Sequence, residues 1–159
     1  MKIVQNLFKV SFLLVFLSSL FGCGYETLVG NKFEKFSIEK INVDGNARLS
    51  RNLANNLTIP KNEKKEIQLI FDIFSKKSRK VSDRDSAGKI KEYTVYLTFD
   101  VTVMNNKNRD ILVKRIFNES GSYKASTLYL DTLNSEKKII NNLIVSIADE
   151  ITKELSLIE

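Results

Sequence analysis

The chain has 159 residues, with 25 lysines and arginines against 19 aspartates and glutamates and a formal charge of +6. It contains no histidine, no tryptophan and one cysteine, Cys23. That inventory excludes a Ser-His-Asp or Cys-His nucleophile system and a His/Cys zinc site, and it excludes an intrachain disulfide, so packing alone must hold the fold.

At the start, Lys2 and Lys9 make a positive segment ahead of an apolar run over residues 10–21, followed by Gly22 and Cys23. This is the layout of a secretory signal, shorter than the roughly 20 residues a spanning helix needs. Leu20-Phe21-Gly22-Cys23 resembles the bacterial lipobox, in which the cysteine sulfur takes a diacylglycerol thioether. The signal is then cut, and the freed amine takes a further chain such as palmitate. One buried chain binds marginally, at about 0.8 kcal/mol per methylene, whereas several make a lasting anchor. Gly24, rather than aspartate, follows the cysteine, which leans to the outer membrane over the inner. The expected division is residues 1–22 as lipoprotein signal, 23–36 as lipidated tether and 37–159 as one α+β domain.

Residues 25–36 read as an irregular tether with a turn at Gly30-Asn31. Residues 37–43 alternate as a short strand, with Glu39, Ile41 and Val43 on one side. Asp44-Gly45-Asn46 makes a turn. Leu49, Leu53 and Leu57 form one stripe of an amphipathic helix that Asn46 caps, and Pro60 lies beyond its end. Residues 66–75 form a second strand with Ile67, Leu69, Phe71 and Ile73 on one face. Residues 76–91 carry Lys76, Lys77, Arg79, Lys80, Arg84, Lys89 and Lys91 among serines and Gly88. They read as a basic turn or flexible connection.

Residues 92–105 alternate most strongly: Tyr93, Val95, Leu97, Phe99, Val101 and Val103 against Thr94, Tyr96, Thr98, Asp100 and Thr102. The turn residues 105–108 predict an antiparallel return over residues 111–117, continuing to Tyr123 with a bend or bulge at Gly121. From Ile139 to Leu155 apolar residues recur at three and four, which predicts a long helix capped by Asn134 or Ser135, with Glu136 in its first turn. Its other face mixes Lys137, Lys138, Asp149, Glu150, Lys153 and Glu154, which suits packing on a sheet better than lying on a membrane. The fold class expected is α+β: a two-layer sandwich whose four-stranded, mostly antiparallel sheet is covered on one face by two helices, in the order β-α-β-β-β-α. The other face stays polar.

In this order the chain resembles the LPS-assembly lipoprotein LptE family. The resemblance rests on Gly22-Cys23-Gly24-Tyr25, Leu49-Ser50-Arg51 in the first helix, Glu92-Tyr93 opening the long strand after a basic segment, and Tyr123 then Asn134-Ser135-Glu136 before the last helix. It implies a non-enzymatic outer-membrane lipoprotein on the periplasmic side. Such a protein plugs an LptD-like β-barrel partner and binds lipopolysaccharide, with no cofactor, no metal and no nucleic acid. Arg84, Lys89 and Lys91, beside Glu92-Tyr93, are the candidate lipopolysaccharide contacts, through charge-assisted hydrogen bonds to phosphates and acidic sugars. Two rivals share the anchor and domain: a generic lipid-anchored periplasmic adaptor, such as an activator of a cell-wall synthase, and an enzyme acting through Asp83 and Asp85.

Overall fold

The computed structural model describes residue 33, residues 35–61 and residues 63–158. The expected signal, the candidate lipidation residue Cys23 and most of the expected tether lie outside the described residues. Six elements follow in the expected order: β1 (Phe36–Gly45), α1 (Ala47–Asn56), β2 (Ile67–Arg84), β3 (Ile90–Asn105), β4 (Ile111–Lys124) and α2 (Tyr129–Leu155). The strands lie side by side as β1-β2-β3-β4. β1 runs parallel to β2, and the other neighbours are antiparallel. The sheet is therefore mixed, because α1 serves as a crossover that returns the chain in the same direction.

Both helices pack on one face of the sheet. The core joins Phe71, Val95, Leu97, Phe99 and Val101 of the strands to Leu53 of α1 and Ile144, Ile147 and Ile151 of α2. The alternation expected of β1 is interrupted. Its register against β2 shifts between Ile38 and Lys40. Glu39 becomes the extra residue of a bulge, so Ile38 and Ile41 both turn toward the helices although they are three apart.

α1 starts as expected, with the Asn46 side chain accepting from the Leu49 amide at 3.3 Å. Its seat on the sheet is polar: Ser50 and Ser75 hydroxyls meet at 2.7 Å, and the Asn46 amide donates to the Ser75 carbonyl at 2.9 Å.

Three expectations are corrected. Residues 76–84 are not a loop: they complete β2, pairing with β3 as far as Arg84 opposite Ile90. Gly121 makes no bulge; it pairs with Val95 in unbroken register. A Cβ at that position would lie 2.6 Å from Ile139 Cγ2, so glycine there admits α2 close to the strand. Finally, neither Asn134 nor Ser135 caps α2. The helix begins at Tyr129 after Leu128, which makes no side-chain cap bond, and Glu136 stands two turns inside.

Candidate functional site

Strand periodicity divides the basic segment between two faces of the sheet. Lys77 and Arg79 lie opposite Leu97 and Val95, on the helix side, while Lys76, Ser78 and Lys80 lie opposite Thr98, Tyr96 and Thr94, on the open side. Lys80 Nζ stands 5.5 Å from the centre of the Tyr96 ring.

On the helix side the two cations meet a single acid. Lys77 Nζ donates to Glu136 Oε1 at 2.8 Å, Arg79 Nη1 to Oε2 at 3.1 Å, and the Tyr123 hydroxyl to Oε2 at 2.8 Å. The Arg79 guanidinium also lies 4.7 Å above the Tyr93 ring, which stacks on Tyr123 with ring centres 5.7 Å apart. Glu136 is 7% exposed. Burial works to raise its pKa, but the Lys77 and Tyr123 hydrogen bonds and the Lys77 and Arg79 charges outweigh it and hold the carboxyl below its ordinary value. Burial, followed by the Glu136 hydrogen bond and charge, pushes Tyr123 up to about 12 against the opposing Arg79 contacts. The group ties β2, β3 and β4 to α2, with its carboxylate accepting three hydrogen bonds.

The three candidate contacts gather at the tip of the β2–β3 hairpin. The turn is made by Asp85, whose carboxylate accepts from the Ala87 and Lys89 amides at 3.0 and 2.9 Å, and by Gly88 at a positive φ of 80°. Arg84 Nη1 donates to the Gly88 carbonyl at 2.8 Å, so one of its donors is spent on the hairpin itself. Lys89 and Lys91 line a recess of about 420 Å³ with Lys124, but Asp83, Asp85 and Glu92 line it too. The structure thus brings Lys89 and Lys91 into one recess among acids, while Arg84 is turned to the Gly88 carbonyl and does not line it. Of the two carboxylates of the enzymatic rival, Asp85 acts on backbone amides of the turn, and Asp83 lies on β2 opposite Glu92.

The open face carries the expected polar row, stitched by Thr94–Ser122 and Thr98–Asn118 hydrogen bonds of 2.8 and 2.9 Å. Phe74 and Ile116 interrupt it, exposed on either side of Asp100. Asp44, Asp72, Asp100 and Lys114 line a hollow of about 390 Å³ beside Phe74. Sequence reasoning missed the Glu136 cluster. Its one available signal was the spacing of Lys77 and Arg79 by two, which puts both on one side if the segment is a strand.

No family model matches the sequence, and no curated protein matches it. Solved structures do share its fold. Rare lipoprotein B from Shewanella oneidensis is 10% identical with a TM-score of 0.54, over 74% of this chain and 93% of its own. A minor lipoprotein from Acinetobacter baumannii is 16% identical at 0.53, over 78% and 92%. Lipoprotein B from Nitrosomonas europaea is 11% identical at 0.52, over 78% and 86%. Identities this low carry the fold and nothing finer.

Proposed function

We propose that the chain is an outer-membrane lipoprotein, anchored through Cys23, that works with a large LptD-like β-barrel in lipopolysaccharide assembly as its plug and glycolipid-binding component. The observation that carries this reading is the Leu20-Phe21-Gly22-Cys23 run ahead of a domain with the fold of rare lipoprotein B and the minor lipoprotein. The open sheet face, with its threonines and aspartates, suits the polar interior of a large barrel. The lysines of the hairpin tip suit phosphates and acidic sugars. No helix among the described residues is long and apolar enough to cross a membrane, and the proposal gives the anchoring to the acylated cysteine.

The test is isolation of the intact protein from outer-membrane extract, with mass spectrometry of its amino end. The expected result is a thioether-lipidated Cys23 and co-isolation of a large β-barrel. An unmodified chain free in the periplasm would overturn the proposal. A periplasmic synthase domain as the bound partner would favour the adaptor instead.

A further inference from the structure

A groove of about 500 Å³ runs between α1 and the first half of α2. Arg48 and Leu49 stand on one wall, and Leu133, Lys137 and Ile140 on the other. Lys77 and Glu136 also line it. Glu136 is the only acid in the lining, and its oxygens already accept from Lys77, Arg79 and Tyr123. Arg48 and Lys137 form no ion pair among the described residues. The groove therefore offers two uncommitted cations and no uncommitted anion, in contrast to the hairpin tip with its interleaved acids. It is also partly apolar. Leu133 is 37% exposed, Ile140 is half-buried, and Leu130, one turn before Leu133 on the same side of the helix, is 71% exposed.

We propose that this groove seats an anionic lipid, with a phosphate monoester head held by Arg48 and Lys137 and an acyl chain laid over Leu133 and Ile140. Free phosphate would leave the leucine and isoleucine surfaces wet, and a neutral lipid would leave the two cations without a counter-charge. The site is separate from Arg84, Lys89 and Lys91. It adds a second lipid contact to the proposed function, on which it rests for the supply of such a lipid.

The absence of tryptophan makes the groove easy to watch. Leu133→Trp in the full chain, held in maltoside micelles, supplies one emitter in the groove. The probes are doxyl-labelled lysophosphatidate and doxyl-labelled lysophosphatidylcholine. Saturable quenching by the first alone is expected. Arg48→Glu with Lys137→Glu should raise its half-saturating amount about tenfold, with thermal melting by circular dichroism confirming that the variant is folded. Because the tryptophan itself alters the groove, the natural chain is also labelled with a photoactivatable phosphatidate. Crosslinks should map to residues 46–52 and 133–141.

Equal quenching by both lipids, no response to the charge reversal, displacement by an equal amount of inorganic phosphate, or crosslinks confined to other segments would each overturn the groove. The assembly reading fails separately. If quenching is retained but no barrel co-isolates, the groove stands and the assembly role falls. If the barrel co-isolates but both quenching and crosslinks in the groove are absent, the groove alone falls.

Discussion

Gly121 and Gly45 show how single atoms position the elements. At Gly121, α2 approaches β4 so closely that an added Cβ would press on Ile139 at 2.6 Å. Ile139 is β-branched, with one strongly preferred χ1 rotamer in a helix, so swinging aside is costly. Gly121→Ala should therefore lower stability by about 1–3 kcal/mol, read from the midpoint of urea unfolding. Adding Ile139→Ala should recover part of that loss, because the second change removes the obstructing methyl groups. Fully additive losses would show that the close approach is not the cause. Gly45, at φ 71°, serves a different need: a Cβ there would meet the Ser75 carbonyl oxygen at 2.3 Å, where α1 is fastened to β2. The sequence marked both positions as special, but only as a turn and a bend. What a glycine leaves room for is a long-range contact, and nothing local encodes it.

Among the elements, β2 departs furthest from its expected form. Its first half alternates with apolar residues because Leu69, Phe71 and Ile73 face the core. Beyond Ser75 the helix-side positions are Lys77 and Arg79, which face Glu136, so the hydrophobic period disappears while the backbone pairing to β3 continues. A strand whose inward residues meet a buried carboxylate looks like a charged loop. α2 conceals its start in a related way. Leu128, Tyr129 and Leu130 are exposed, and the entry is held by Ser126, whose amide donates to Thr132 Oγ1 at 2.8 Å and whose hydroxyl accepts from the Leu128 amide at 3.2 Å. The extended hairpin puts Arg84, Lys89 and Lys91 together at its tip. Reversing all three to glutamate should reduce lipopolysaccharide capture several-fold in a low-salt binding assay, and capture by the natural protein should weaken as salt rises. Capture that withstands the triple reversal at low salt would move the contact away from the hairpin.

For the whole molecule, the Glu136 group couples stability to pH. The folded carboxyl titrates below its ordinary 4.5, so its stabilisation is complete above that value and is lost as pH falls through the folded pKa. The Tyr123 phenol, raised from 10.0 to about 12, stabilises fully below the unfolded value and loses that contribution as pH rises toward the folded one. Glu136→Gln should lower stability near neutrality by about 1–3 kcal/mol, since it weakens the partnership of a buried hydroxyl and two half-exposed cations. It should also flatten the acid arm of a urea-midpoint profile from about pH 3 to about pH 7. Parallel profiles for the two proteins would remove Glu136 from that role.

The order of the elements, the two-layer α+β class and the inward residues of β3 and α2 were already determined by the linear chain, because hydrophobic period is a local property that burial imposes residue by residue. The parallel pairing of β1, the second half of β2, the partners of Glu136 and the groove between the helices were decided only in three dimensions. Each depends on which distant side chain comes to face another. A lysine, a glutamate or a glycine reads the same in a sequence whether it meets water, an opposite charge or the flank of a helix.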